Sequence, residues 1–127
     1  MGCDIYMRAE LYDAESDTWA IVPTGNLYPR RDYAIFGILA GVRGVEFEPI
    51  AEPRGIPKVL SLEWAIEYKN RVKTGNHSFS WVTAQEVLDY YDGKESQKAL
   101  AFLRMKVNAL CELAPVEDVR LVFCFNS

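Results

Sequence analysis

Apolar and polar residues alternate from Asp4 to Tyr12, with Ile5, Met7, Ala9 and Leu11 on one side and Asp4, Tyr6, Arg8, Glu10 and Tyr12 on the other. A period of two is the signature of a strand with one buried face. The polar run Asp13 to Asp17 then turns the chain into Thr18 to Val22, where Trp19 and Ile21 share a face, so the first 22 residues predict a β-hairpin ended by Pro23. Residues 23–31 carry two prolines and a Gly-Asn pair and read as a loop with a basic end.

The period then lengthens. From Asp32, a predicted N-cap, Tyr33, Phe36, Leu39 and Ala40 recur at helical spacing until Gly41 and Gly44. Residues 45–57 contain a candidate short strand, Val45 to Glu48, but Pro49, Pro53, Gly55 and Pro57 forbid a long element, so the stretch reads as an ordered loop. Ser61 with Glu63 opens a second predicted helix whose apolar set is Leu62, Ala65, Ile66 and Tyr68, ending near Thr74 to Asn76. His77 to Val82 reads as a strand, and Thr83-Ala84-Gln85-Glu86 is a capping box for a short helix to about Tyr91, closed by Asp92-Gly93. The clearest helix spans Ser96 to Ala114, with Leu100, Leu103, Val107, Leu110 and Ala114 in one stripe and Pro115 after it. The dense apolar run Val119 to Phe125 predicts a strand covered on both faces and paired with the first strand.

Strands at both ends and helices between them predict an α+β fold: a small, mainly antiparallel sheet made of the N-terminal hairpin and the C-terminal strand, with helices packed against one face. At 127 residues the chain is sized for one domain. Half the residues are apolar and a quarter charged, the profile of a globular protein. A net charge of −4 argues against binding extended nucleic acid through general phosphate attraction, while leaving room for a local basic site. Three cysteines, Cys3, Cys111 and Cys124, make no CxxC pair and read as free thiols of a reducing cytoplasm. No apolar run approaches a membrane span and no secretory signal opens the chain, so neither a membrane partner nor export is expected.

Motifs for phosphate loops, dinucleotide folds, zincins, nucleophile elbows and EF-hands are absent, and with one histidine a His-rich metal cage is excluded. Neither a cofactor, a metal nor a catalytic residue is expected. The suggestive set is basic: Arg30 and Arg31 before the first helix, Arg43 after it and Arg54 in the Pro-rich loop. Guanidinium groups match phosphate bidentately, and Tyr28, Tyr33 and Phe36 lie close in sequence for stacking on a base. Such arginines also commonly cap helix carbonyls or pair with surface carboxylates. His77, in the turn Gly75-Asn76-His77-Ser78, offers a polar contact, as do the hydroxyls of Ser78 and Ser80.

Gly2-Cys3-Asp4-Ile5, the block Arg31 to Arg43, Arg54-Gly55-Ile56-Pro57, His77 with Ser80-Trp81-Val82-Thr83, and Arg120 to Phe123 together resemble a family of small tailed-phage and prophage proteins, over the whole chain. The resemblance implies a viral accessory protein acting in the bacterial host cytoplasm and brings no established activity with it. Members commonly carry His where this chain has Tyr6, which weakens any scheme in which position 6 and His77 share a metal. By association with phage proteins that trap cyclic-nucleotide alarm signals, the leading expectation is a binding protein that sequesters a small phosphorylated ligand, such as a cyclic nucleotide, without turning it over. Arg30, Arg31, Arg43 and Arg54 would hold phosphate; Tyr33, Trp81 or Tyr6 would stack on the base; His77 and Ser78 would add polar contacts; and a homo-oligomer would help enclose the ligand. The alternatives are a hydrolase or nuclease using Cys3 or Asp4 with His77, and an inhibitor of a host enzyme acting through an exposed aromatic surface.

Overall fold

A computed structural model describes residues 2–44, 46–91 and 96–127. Strand β1 (Asp4–Asp13) and strand β2 (Thr18–Ile21) form the expected hairpin, followed by helix α1 (Tyr33–Ala40), helix α2 (Leu62–Lys73), strand β3 (His77–Thr83), helix α3 (Ala84–Asp89), helix α4 (Ser96–Leu110) and strand β4 (Val119–Asn126). The sheet is antiparallel with order β2-β1-β4-β3, so the last strand of the chain lies inside it, between β1 and β3. Val119 to Phe125 are all buried because both faces of β4 are covered, Leu121, Phe123 and Phe125 by the main core and Val122 and Cys124 by Trp64.

Ile5, Met7 and Ala9 of β1 meet Leu121, Phe123 and Phe125 of β4 on the main core face, which α1, α3 and α4 cover through Phe36, Ile38, Val87, Leu103 and Val107. The expectation that every helix packs on one face is corrected here. Helix α2 lies on the opposite face, where Trp64 packs with Val122 and Cys124 and with the half-buried Tyr6, Ile21, Phe79 and Trp81. The predicted apolar set of α2 is corrected with it: Leu62 and Ile66 are 73% and 53% exposed, and Trp64 is its one buried residue.

The reason is polar. Glu10, fully buried on this face of β1, accepts the Ser61 backbone N–H at 2.7 Å and the Arg120 guanidinium at 2.7 Å, while Ser61 caps the helix by accepting from the Trp64 N–H at 3.1 Å. These bonds fix where α2 starts and which way it is rotated, and the Trp64 ring then lies parallel to that of Tyr6. One large aromatic fills the space a stripe of aliphatic residues would otherwise fill.

Other helix ends follow their local chemistry. Asp32 accepts from the Ile35 N–H, Gly41 closes α1 in the left-handed conformation, and the reciprocal Thr83/Glu86 capping box opens α3. Helix α4 ends at Leu110 rather than Ala114, its chain tightening through Glu112 and Leu113 N–H bonds to carbonyls three residues back. Glu46 to Glu48 form no strand; Val45, and the Asp92-Gly93 turn, lie outside the described residues. The loop after α1 instead folds back over the helix, where Ile50 N–H bonds the Ile38 carbonyl and Gly44 lies so near the Tyr33 carbonyl that a Cβ would stand 2.2 Å from its oxygen.

Candidate ligand-binding cleft

A cleft of about 480 Å³ opens at the end of the sheet where β1 begins and β4 finishes. Its position follows from how the chain leaves the hairpin. Strand β2 pairs with only the far half of β1, and the loop after Pro23 runs along the rest of that edge. Asn26 takes the place of a neighbouring strand there, donating to the Ile5 carbonyl at 2.7 Å and accepting the Met7 N–H at 2.9 Å. The loop is thereby held against β1, and Pro29, Arg30 and Arg31 are delivered to its start.

Three guanidinium groups line the cleft. Arg31 donates to Asp4 at 2.7 Å, and its guanidinium lies against Gly2. Arg30 stands 4.4 Å from the centre of the Phe102 ring and, among the described residues, has no carboxylate within ion-pair distance. Arg71, in the last turn of α2, lies 3.4 Å from the centre of the Tyr6 ring and bonds Glu67 one turn back at 2.8 Å. Asn76 and Asn126 complete the polar lining; Asn76 is nearly buried, and its amide oxygen accepts the Cys124 thiol at 3.4 Å. The Arg31 hydrogen bond is the main reason the Asp4 carboxyl is held below its ordinary pKa.

The predicted residues divide. Arg30, Arg31 and Tyr6 converge in the cleft. Arg54 does not: its guanidinium grips Glu86 with two bonds, at 2.8 and 2.6 Å, and donates to the Trp81 carbonyl. With Arg54 N–H on Ser80 Oγ and Gly55 N–H on the Phe79 carbonyl, this loop covers the outer edge of β3, which would otherwise be an open template for another strand. Trp81 carries the Arg54 guanidinium 4.9 Å from its ring centre and takes part in that seal. Arg43, in the left-handed region at φ 61°, stands beside the Tyr33 ring, while the Tyr33 hydroxyl accepts the Cys3 N–H at 3.1 Å. Tyr28 and Phe36, expected to be within reach of a base, are core residues with no exposure. Tyr6 has its ring in contact with Trp64 and Arg71.

His77 and Ser78 lie beside the cleft rather than in its wall. The imidazole is held at both nitrogens, Nδ1 at 2.9 Å from Ser78 Oγ and Nε2 at 2.9 Å from Ser127 Oγ, and the Ser127 hydroxyl reaches the buried Cys3 thiol at 3.5 Å. Ser78 occupies a positive φ of 54° at the irregularity between His77 and Ser80 where β3 slips its register with β4.

No family model, curated protein or solved structure matches this chain. The chemistry of the cleft therefore stands on its own geometry. Among the described residues no group of three His, Cys, Asp or Glu side chains could hold a metal ion, and no helix is long and apolar enough to cross a membrane. Sequence reasoning missed Arg71, Asn26, Asn76 and Asn126 as lining residues. Arg71 had one weak local signal, a basic residue in the last turn of a helix, and Asn26 sat in an ordinary Gly-Asn turn signal.

Proposed function

We propose that this protein binds a small phosphorylated ligand of nucleotide size in the cleft at the start of β1, and that it holds the ligand without turning it over. The observation that supports the reading best is the convergence of Arg30, Arg31 and Arg71 around a space of about 480 Å³. Guanidinium groups are the side chains best suited to phosphate oxygens, and the volume suits one small ligand rather than a polymer. The three cations face two nearby carboxylates, Asp4 and Glu67, so the wall keeps a net positive charge although the chain as a whole is acidic. Within the resemblance to phage and prophage proteins, this amounts to sequestering a nucleotide signal, cyclic nucleotides included, in the cytoplasm of an infected host; a second copy closing the cleft would strengthen the hold.

The hydrolytic alternative pairs His77 with Cys3 or Asp4, but both ring nitrogens of His77 are already engaged at 2.9 Å, by Ser78 Oγ and Ser127 Oγ. The other groups it would use are no more available: Cys3 is fully buried, and Asp4 is engaged by Arg31. A single experiment separates the two. The purified protein is incubated with a set of mononucleotides and cyclic nucleotides, washed, heat-denatured and the supernatant chromatographed. Intact nucleotide is expected; a cleaved product that disappears in His77→Ala overturns the binding-only reading, and recovery of no nucleotide at all overturns the site.

A further inference from the structure

The cleft contains one group that a simple anion trap would not want, the carboxylate of Asp4. It is not there for the fold. Both members of the Asp4–Arg31 pair remain largely exposed, at 63% and 58%, and an ion pair so open to water is readily exchanged and adds little to stability. Asp4 Oδ1 takes the Arg31 Nε–H at 2.7 Å and Oδ2 is reached by a second guanidinium nitrogen at 3.4 Å, so the carboxylate occupies the fork that a phosphate would use.

Resting on the phosphate-binding reading above, we infer that Asp4 is the specificity determinant of the cleft: an internal counter-ion that ligand phosphate displaces from Arg31, and that then accepts hydrogen bonds from hydroxyl groups of the same ligand. A dianionic phosphate monoester without hydroxyl groups, such as methyl phosphate, displaces Asp4 and leaves a carboxylate beside the new anion with nothing to bond, which opposes binding. A phosphate ester with sugar-type hydroxyls supplies the donors that the freed carboxylate requires. An ammonium-bearing ligand would also offer donors, but the three guanidinium groups of the wall repel it, so neutral hydroxyls are the matching chemistry. The cleft thus selects phosphorylated sugars, the ribose phosphate part of a nucleotide among them, over ionised phosphate monoesters that carry no hydroxyl group.

The test uses methyl phosphate and ribose 5-phosphate, which carry the same charged group with and without hydroxyls, titrated calorimetrically into the wild-type protein, Asp4→Asn, Asp4→Ala and Arg31→Gln. In the wild type, ribose 5-phosphate should bind about tenfold more tightly than methyl phosphate, the scale of one hydrogen bond to a charged acceptor. In both Asp4 variants methyl phosphate should bind several-fold more tightly than in the wild type, and the preference should shrink to about threefold or less. Arg31→Gln should weaken both probes together. Equal binding of the two probes by the wild type, or an unchanged preference in the Asp4 variants, overturns the role of Asp4 while leaving a phosphate site in place. Failure of the wild type to bind either probe overturns the site and this inference together.

Discussion

Replacing Arg120 with Met should destabilise the protein severely, and replacing Glu10 with Gln as well should rescue part of the loss. Glu10 has no exposed surface and the Arg120 side chain only 8%, so the single change leaves a buried carboxylate whose remaining partner among the described residues is the Ser61 N–H. Breaking such a pair from one side costs about 3–5 kcal/mol. For a chain of 127 residues each kcal/mol moves the melting temperature by about 4 °C, so Arg120→Met should melt about 12–20 °C below the parent. In the double variant the side chain at position 10 is neutral, and its amide oxygen still accepts from Ser61. What remains lost is the Arg120 bond to the Val59 carbonyl and its packing 3.6 Å from the centre of the Trp19 ring, and the buried amide –NH2 now at position 10 faces the new methionine without an acceptor, together about 3 kcal/mol. Thermal melts followed by circular dichroism decide it. A single variant within about 3 °C of the parent, or a double variant less stable than the single, would refute the reasoning.

Glu86→Gln tests the Arg54 seal through pH. The Arg54 hydrogen bond holds the Glu86 carboxyl below its ordinary value of 4.5, so its stabilisation is present above that pH and lost as pH falls through the lower folded value. The variant should be less stable at pH 7, and the melting curves of variant and parent should converge as pH drops below 4.5; a constant gap would show that the pair does not titrate as argued. Gly44→Ala should cost about 1–3 kcal/mol in urea unfolding, because its Cβ would meet the Tyr33 carbonyl at 2.2 Å, and a neutral result would mean the loop can move away freely. Alkylation of the native protein at pH 8 followed by mass spectrometry should label Cys111 first, since Cys3 and Cys124 are buried and burial pushes the Cys124 thiol up to about 12. Equal labelling of all three cysteines without denaturant would contradict the packing.

How much of this was legible in the sequence depended on whether the signal was local. The β1 alternation, the Asp32 and Gly41 caps of α1, and the Thr83/Glu86 box are written within a few residues of chain, and each forms as its spacing predicts. That β4 is covered on both faces was legible in its dense apolar run, but its place between β1 and β3 was not, because the pairing with β3 joins segments distant in the chain. The rotation of α2 was not, because it is set by Glu10, 51 residues from Ser61, and by Tyr6 beneath Trp64. Leu62 and Ile66 make the more conventional helical stripe, and only the polar anchor on the sheet turns them outward.

The cleft divides the same way. Arg30 and Arg31 stood out as a basic pair, and their loop leads into the cleft because Asn26 binds the open edge of β1. Arg54 looked equivalent in composition, yet its partner Glu86 lies 32 residues away and takes both of its terminal nitrogens. Arg71 and Asn126 come from the end of α2 and the end of β4, and nothing in either segment alone announces that they face the start of β1. Convergence of distant segments is a property of the topology, not of any motif.

The central claim is that the arginine cleft at the start of β1 is where a phosphorylated ligand binds. Amide chemical shifts of isotope-labelled protein titrated with adenosine monophosphate test it most directly. Perturbations should concentrate on Asp4 to Tyr6, Asn26, Arg30, Arg31, Arg71, Asn76 and Asn126, with Arg43, Arg54 and Trp81 unmoved. Saturable shifts centred on Arg54 or Arg43, or no shifts at millimolar nucleotide, would contradict it.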